Sequence, residues 1–221
     1  MSVGQPFRLS AAVLQRIEPL TVDDEAGRSD EQILAGRRLA RQRQFEAGRR
    51  CAAQLLAALG SPITGVSVAP DRSPVWPAGF VGSITHKDAI LGVAAARAGE
   101  VGALGIDIEH VLSPQAAGDV ESICLIDRER ALGRRLGVER CLFATLCFSA
   151  KESLYKCLYP SVLRFFDHLA AEVIELDMPA GTLSLRLNEH LSAAAPKGRI
   201  VQGGFSLRHD HVFTSFELPP A

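Results

Sequence analysis

The chain has 221 residues, of which 47% are hydrophobic and 22% charged, a globular composition with enough length for one large domain or two small ones. Its net charge of −1 and its 6% aromatic content argue against general nucleic-acid binding, which requires a basic surface. No apolar stretch approaches the roughly 18 residues of a membrane span, and the start MSVGQPFRLS lacks the pattern of a secretory signal. Five cysteines without CxxC spacing are typical of reduced thiols, so we predict a cytoplasmic protein without a zinc or disulfide framework.

The first half predicts one long helix followed by short strands. Helix formers dominate residues 30–59, and Gly60-Ser61-Pro62 predicts the helix end. Acidic residues at 23–25 precede the helix and arginines between 37 and 50 follow along it. These arginines indicate a solvated face, or alternatively a phosphate or acidic-partner site. The segments GVSVAP, FVGSITH, AILGVAAA and VGALGIDIE predict strands, and DRSPVWPAG predicts a proline-rich loop.

The second half predicts two helices and two hairpins. One helix is expected over residues 119–137, and another from Val138 to Tyr159, ended by Pro160. The segment AEVIELD pairs with GTLSLRL, and GRIVQGGFSLRHD pairs with HVFTSFEL. This mixture of helices and meandering strands predicts an α+β fold.

The segment GIDIEH places two acidic residues on one strand. Asp107 and Glu109 are two residues apart, so they point to the same face of an extended strand, about 6 to 7 Å from each other. Like charges at this distance cost stability unless a cation lies between them. The segment therefore indicates a cation site, or alternatively a strand end that runs into a solvated loop.

The segment FSAKESLYKCLYP brings Lys151, Glu152 and Lys156 onto the second helix. Glu152 and Lys156 are four residues apart, which is also the spacing of an ordinary surface ion pair worth roughly 0.2–0.5 kcal/mol. The functional alternative makes Glu152 a third oxygen ligand beside Asp107 and Glu109, a donor set that suits Mg²⁺. The lysines then neutralise phosphate charge. The buried stripe of this helix is predicted to comprise Cys147, Ala150, Leu154, Cys157 and Leu158.

The segment GSITH, residues 82–86, is interpreted as a polar turn between two strands. Ser83, Thr85 and His86 are able to donate hydrogen bonds to a phosphate there. The remaining histidines are interpreted as surface or turn residues and not as ligands: His110, His168, His190, His209 and His211.

The ordered combination of GSITH, GIDIEH and FSAKESLYK resembles the 4′-phosphopantetheinyl transferases. The closer likeness is to the larger, single-chain type that serves siderophore, nonribosomal-peptide and polyketide synthases. The likeness extends to FEAGRRCAAQLLAALG and to the DRSPVWP loop, and so covers most of residues 37–160. The chain departs from many relatives at Phe148, where they have tryptophan, and at Arg72, where they have lysine.

The resemblance implies a Mg²⁺-dependent transfer of the phosphopantetheine arm of coenzyme A to a serine of an apo acyl or peptidyl carrier protein, with release of adenosine 3′,5′-bisphosphate. It makes Asp107, Glu109 and Glu152 the metal ligands. It makes Glu152, Lys156 and Asp107 the catalytic residues, with Glu152 or a metal-bound water as the base. The implied contacts to coenzyme A are Arg41, Arg49, Arg72, Ser83, Thr85, His86, Asp107, Lys151 and Lys156.

The resemblance also implies a pseudo-dimer of two similar α+β halves in one monomeric chain. Residues 1–104 would carry the nucleotide contacts, and residues 105–221 the metal site and its helix. Two alternatives remain open. One is another Mg²⁺-dependent phosphotransferase, although no GxxxxGK[ST] loop is present. The other is a non-catalytic module that binds coenzyme A or a carrier protein.

Overall fold

The computed structural model describes residues 5–20 and 30–220. The acidic residues at 23–25 lie outside these ranges. The helices are α1 (Asp30–Ala58), α2 (Pro114–Cys124), α3 (Asp127–Leu136) and α4 (Arg140–Val162). The strands are β1 (Leu14–Pro19), β2 (Ser67–Val68), β3 (Pro74–Val75), β4 (Phe80–Lys87), β5 (Ile90–Arg97), β6 (Ala103–His110), β7 (Ala171–Asp177), β8 (Thr182–Leu187), β9 (Ile200–Arg208) and β10 (His211–Leu218). Helices and antiparallel sheets occur together, which confirms the predicted α+β fold.

The first sheet has the strand order β1-β5-β4 and supports α1. Residues 91–96 of β5 are all buried, because this central strand is covered on both faces. Leu56 of α1 packs with Leu91 and Val93 of β5 in one apolar cluster. The predicted end of α1 before Gly60 is confirmed, whereas the edge strand β1 was not predicted from the sequence.

The second sheet has the order β6-β10-β9-β8-β7, and α4 crosses β6 and β10. The predicted stripe of α4 is confirmed, because all five of its residues are at most 1% exposed. Gly105 permits this crossing, since a Cβ there would lie 1.9 Å from the carbonyl oxygen of Ser153. The helix that carries Lys151, Glu152 and Lys156 therefore rests directly on the strand that carries Asp107 and Glu109.

The two sheets meet where β4 lies beside β6. Ser83 Oγ accepts a hydrogen bond from the backbone N–H of Ile106 at 3.1 Å. Side chains, and not a strand ladder, thus join the strands that carry GSITH and GIDIEH. Each half contains a long helix on an antiparallel sheet, as a pseudo-dimer requires. The relationship between the halves and the boundary near residue 105 stay predictions.

Two predicted helix boundaries are wrong. Residues 119–137 form two helices, because Leu125 is extended and buried and the Glu129 carboxylate accepts the N–H of Ile126 at the start of α3. Pro160 does not end α4, which continues to Val162. A proline removes only one backbone donor, and the helix ends when Leu163 adopts a left-handed conformation with φ of 53°.

The segment GSITH is not a turn, because residues 82–86 lie inside β4. The turn follows it at Asp88, where φ is 49°. The predicted loop at DRSPVWPAG contains β3, which pairs with β2. Both predicted C-terminal hairpins are confirmed. No helix in the two described ranges combines the length and apolar character needed to cross a membrane.

Candidate active site

Asp107 of β6 contacts side chains of both β4 and α4. Its side chain is 5% exposed, and Oδ1 accepts hydrogen bonds from Lys156 Nζ at 2.7 Å and from Thr85 Oγ1 at 3.1 Å. Ser149 Oγ donates to Oδ2 at 2.8 Å. Because these donors come from β4 and from two turns of α4, the carboxylate of Asp107 is fixed in one orientation.

A hydroxyl network supports Asp107 from behind. Thr214 Oγ1 donates to the carbonyl oxygen of Ser149 at 2.9 Å, and it also lies 2.9 Å from Ser149 Oγ and from Ser153 Oγ. All three hydroxyl residues are fully buried. Thr214 pairs with Asp107 across the β6–β10 ladder. Thr214 was not identified from the sequence, because it lies far along the chain in a strand without a motif.

Glu109 is paired with a lysine that the sequence reasoning missed. Lys87 Nζ lies 2.6 Å from Glu109 Oε2. Burial, with a smaller contribution from the charge of Asp107, raises the pKa of Glu109, although Lys87 opposes this shift. Lys87 is two residues after Thr85, so strand alternation would have placed both on one face. The interpretation of GSITH as a turn concealed this relationship.

Glu152 is paired with His168 and not with Lys156. The distance from His168 Nε2 to Glu152 Oε1 is 2.7 Å, and this hydrogen bond lowers the pKa of Glu152. Hydrogen bonds with Cys124 and then with Glu152 raise the pKa of His168 to about 9. His168 lies in a short 3-10 turn and is partly exposed, as predicted, but its contact with Glu152 was not predicted from the sequence.

The two lysines of FSAKESLYK face different directions. Lys156 is 28% exposed and contacts Asp107, Thr85 and the carbonyl oxygen of Ile106. Lys151 is only 2% exposed, and its ammonium contacts the Glu129 carboxylate at 2.9 Å. Residues five apart on a helix are separated by about 140° around its axis. Lys151 therefore faces α3 and lies away from Lys156, which is a correction to its predicted place beside the phosphates.

The three predicted metal ligands have the right chemistry but are not grouped. Within residues 5–20 and 30–220, no three His, Cys, Asp or Glu side chains are arranged to hold a metal ion. Asp107 contacts Lys156, Glu109 contacts Lys87, and Glu152 contacts His168. Carboxylate oxygens are the donors that Mg²⁺ prefers, and burial is the main cause of the raised pKa of Glu109. The three carboxylates thus match Mg²⁺ in donor chemistry, and each of them is paired with a basic side chain in this structure.

The GSITH side chains have divided roles. Ser83 and Thr85 are buried, and they bridge to Ile106 and Asp107. His86 is more accessible. The pKa of His86 is lowered, first by partial loss of hydration and then by the positive charges of Lys156 and Arg41. His86 and Arg41 are therefore close enough for electrostatic interaction.

Arg49 has an unused donor. Its guanidinium carbon lies 4.9 Å from the centroid of the Phe45 ring, and burial lowers the pKa of the arginine. Its Nη1 atom is buried without a hydrogen-bond partner in the described part of the chain. A buried, unsatisfied cationic donor is costly, and an anionic ligand would satisfy it. Arg41 and Arg72 are exposed.

A cavity of about 210 Å³ lies beside Glu152. Aromatic side chains form much of its wall, and the ring centroids of Tyr155 and Phe166 are 4.6 Å apart. The residues that line it are Lys151, Glu152, Leu154, Tyr155, Phe165, Phe166, Asp167, His168 and Ala171. An uncharged, partly apolar ligand segment fits such a wall.

Comparisons with known proteins identify the family of the chain. A family model described as the 4′-phosphopantetheinyl transferase N-terminal domain matches residues 29–96, and one described as the 4′-phosphopantetheinyl transferase superfamily matches residues 103–205. The chain is 32% identical over 168 residues to 4′-phosphopantetheinyl transferase Npt of Nocardia iowensis, which covers 74% of this chain and 71% of that protein.

Two further relatives each match more than two thirds of this chain. 4′-Phosphopantetheinyl transferase PptT of Mycobacterium tuberculosis is 28% identical over 86% of this chain and 85% of its own length. Enterobactin synthase component D of Salmonella typhi is 33% identical over 69% of this chain and 61% of its own length. With both family models matched in order along the sequence, the chain belongs to the 4′-phosphopantetheinyl transferase superfamily, whose enzymes modify carrier proteins with the phosphopantetheine of coenzyme A.

Proposed function

We propose that the protein transfers the 4′-phosphopantetheine group of coenzyme A to a serine of an apo acyl or peptidyl carrier protein and releases adenosine 3′,5′-bisphosphate. The observation that carries this proposal is the cluster of Asp107, Lys156 and Thr85 where the two sheets meet, with Glu109 nearby on β6 and Glu152 on α4. The family membership of the chain supports the same reaction.

The reaction requires charge stabilisation more than covalent chemistry by the protein. The serine oxygen forms a bond to one phosphorus of the pyrophosphate, and the bond from that phosphorus to the bridging oxygen breaks. Negative charge grows on the departing oxygen, and Lys156 is the accessible ammonium that stabilises it. Glu152 takes the serine proton in this proposal. Its carboxylate is ionised at neutral pH and able to accept a proton, although its lowered pKa makes it a weak base.

Magnesium belongs to the proposal as well. Asp107, Glu109 and Glu152 would hold Mg²⁺, which when bound neutralises charge on the pyrophosphate. The support is the oxygen-only donor set and the like charges of Asp107 and Glu109 on one strand, which a cation between them would stabilise. Lys87 and His168 would act as the cations that occupy Glu109 and Glu152 before the metal binds.

Coenzyme A would lie along the junction between β4 and α4. The proposed contacts to its nucleotide are Arg41, Arg49, Arg72, Ser83, Thr85 and His86. The unsatisfied Nη1 of Arg49 supports an anion at that position. The cavity beside Glu152 would receive the uncharged pantetheine arm. Lys151 is left out of the contact set, because Glu129 encloses its ammonium.

The carrier protein is the proposed partner. Carrier proteins are acidic, and the exposed arginines of α1, such as Arg38 and Arg41, would attract one. The likeness to enterobactin synthase component D supports a carrier of siderophore synthesis, with nonribosomal-peptide and polyketide carriers as related candidates. We propose a monomer in the cytoplasm. The five free cysteines, four of them buried, support a reducing compartment.

Intact-protein mass spectrometry tests the proposal. An apo carrier protein is incubated with the protein, coenzyme A and Mg²⁺, beside a chelator control and a carrier whose acceptor serine is replaced by alanine. We expect a mass gain of one phosphopantetheine unit that is absent from both controls. Calorimetric binding of coenzyme A without any gain on siderophore, polyketide and fatty-acid carriers would instead indicate a binding module. Tighter binding of ATP than of coenzyme A would indicate another phosphotransferase.

A further inference from the structure

The end of α4 contacts the small β2–β3 hairpin through one pair of side chains. The Tyr159 hydroxyl donates a short hydrogen bond to Asp71 Oδ2. Asp71 lies in the turn between β2 and β3, strands of two residues each that have little support of their own. The contact therefore ties a weakly held hairpin of the N-terminal half to the helix that carries Lys156 and Glu152.

The residue after Asp71 has an unusual backbone. Arg72 has a φ of 70°, a left-handed conformation that is uncommon for a residue other than glycine. Its N–H donates to the carbonyl oxygen of Ala69 at 2.8 Å. Such a conformation persists only where the surrounding contacts impose it. Contacts around Arg72 must therefore hold its backbone in this left-handed conformation.

Asp71 supplies much of that constraint. Its Oδ1 accepts hydrogen bonds from the Ser73 N–H at 2.9 Å and from Ser73 Oγ at 2.7 Å. The Tyr159 hydroxyl and these bonds lower the pKa of Asp71 to about 2, so the carboxylate is ionised at neutral pH. Arg72 thus lies between Asp71 and Ser73, which the Asp71 carboxylate ties together. The hydrogen bond from Tyr159 holds this carboxylate in place.

The Tyr159–Asp71 contact lies on the same side of α4 as the contact between Lys156 and Asp107. Tyr159 is three residues after Lys156, so both side chains lie on neighbouring parts of one helix face. Lys156 contacts Asp107 from this face. The hairpin turn with Arg72 is consequently held on the side of α4 that faces the proposed phosphate site.

We propose that Tyr159 is a positioning residue: through Asp71 it holds the turn of Arg72 in place for a phosphate of coenzyme A before the substrate binds. The inference rests on the proposed function, in which Arg72 contacts the nucleotide. Pre-organisation of this kind acts on binding, since the ordering of the turn no longer has to occur when the ligand arrives. It predicts an effect of Tyr159 on affinity for coenzyme A and little effect on the chemical step.

The experiment compares Tyr159→Phe, Asp71→Ala, Arg72→Ala and the double variant Tyr159→Phe/Arg72→Ala. Coenzyme A affinity is measured by calorimetry, KM and kcat by carrier modification, and the melting temperature by calorimetric scan. Ser161→Ala is the matched control, because its hydroxyl bonds to Leu158 on the same helix and does not reach the hairpin.

We expect Tyr159→Phe and Asp71→Ala to weaken coenzyme A binding and to raise KM by about fivefold or more, with kcat within about twofold and an unchanged melting temperature. The double variant should be no worse than Arg72→Ala alone, because Tyr159 acts through Arg72. Amide exchange in residues 69–73 should be faster in Tyr159→Phe than in Ser161→Ala.

Three results would overturn the inference. If Arg72→Ala weakens coenzyme A binding and Tyr159→Phe does not, the positioning role is absent although the nucleotide contact stands. If neither variant changes binding while carrier modification proceeds, Arg72 is not a nucleotide contact, and the proposed reaction is unaffected. If Tyr159→Phe lowers the melting temperature without changing affinity, the contact is only structural.

Discussion

Lys151 and Glu129 form an ion pair inside the protein, with side chains 2% and 0% exposed. Glu129 also accepts the N–H groups of Val173 and Ile126, at 2.8 and 2.9 Å, and Lys151 also donates to the carbonyl oxygen of Cys124 at 2.6 Å. One buried pair thereby connects the end of α2, the start of α3, β7 and α4. Lys151 therefore organises the support of the site, and its ammonium does not face Asp107.

Loss of this lysine should destabilise the protein strongly. Lys151→Met leaves the Glu129 carboxylate buried without a counter-ion, so we expect the free energy of unfolding to fall by about 3–5 kcal/mol in urea titrations. The double variant Lys151→Met/Glu129→Gln removes both charges and should recover a large part of that loss. A stable Lys151→Met protein with weakened coenzyme A binding would instead support the original prediction of a phosphate contact.

The carboxylates of the proposed metal set should be required for turnover. Glu109→Gln and Glu152→Gln each remove one anionic oxygen donor, and we expect carrier modification to fall by about 10²-fold or more with the fold retained. Circular dichroism and initial rates over a Mg²⁺ series provide the measurement. Glu189→Gln is the matched control at an exposed glutamate. Near-normal rates in either site variant would rule out the proposed metal set.

Lys156 should matter for the reaction more than for stability. Its side chain is partly exposed and faces the cleft, so Lys156→Ala should reduce kcat by about 10²-fold. Its removal leaves the buried Asp107 carboxylate without its counter-ion, and the hydrogen bonds from Thr85 and Ser149 offset only part of that cost, so the melting temperature should also fall to some extent. Measurement of kcat and of the melting temperature for the same variant distinguishes a catalytic role of Lys156 from a structural one. A large fall in melting temperature with little change in kcat would assign Lys156 a structural role.

Gly105 should tolerate no side chain. Besides the Ser153 oxygen, a Cβ there would meet the backbone nitrogen of Cys157 at 2.6 Å, so Gly105→Ala must push α4 away from β6. We expect a loss of about 3 kcal/mol in the free energy of unfolding. Activity should also fall, because Glu152 and Lys156 move with the helix. Gly99→Ala is the control, since no atom lies within 4 Å of its added Cβ and its melting temperature should be unchanged.

The start of α4 should depend on pH through Glu139. Its carboxylate accepts the N–H groups of Cys141 and Leu142 at 2.9 and 2.8 Å, and these bonds lower the pKa of Glu139. Because the folded pKa lies below the unfolded value, the stabilisation is present at neutral pH and is lost as pH falls through the folded pKa. Glu139→Ala should cost about 1 kcal/mol at pH 7 and progressively less below about pH 4.5. Urea titrations between pH 3.5 and 7 measure the difference, and a cost independent of pH would contradict this account.

Helical spacing and strand alternation in the sequence correctly predicted the buried stripe of α4 and the C-terminal hairpins. The stripe of α4 follows helical spacing from Cys147 to Leu158, and the hairpin strands follow alternation, so both were predicted correctly. Pro160 misled the prediction because one missing donor is tolerated in a last helical turn. The break at Leu125 depends on a side chain from the following helix, Glu129, and is therefore less visible in a local pattern.

The site itself was only partly predictable. Asp107, Thr85 and Lys156 were identified from motifs, and the structure brings them together. His168 and Thr214 belong to segments without motifs, and only the tertiary fold brings them to Glu152 and Ser149. The opposite directions of Lys151 and Lys156 follow from helical geometry, but which of the two faces the cleft depends on how α4 lies on β6.

The hydrogen bonds between β4 and β6 have a consequence for heat inactivation. Ser83 and Thr85 bridge to Ile106 and Asp107 through side chains, and a buried apolar cluster that includes Ala94 of β5, Ile106 of β6 and Phe213 of β10 continues across the same junction. Separation of the two sheets would therefore release Asp107 from Thr85 only by opening this shared apolar cluster. Inactivation on warming should consequently coincide with the global unfolding transition and not precede it.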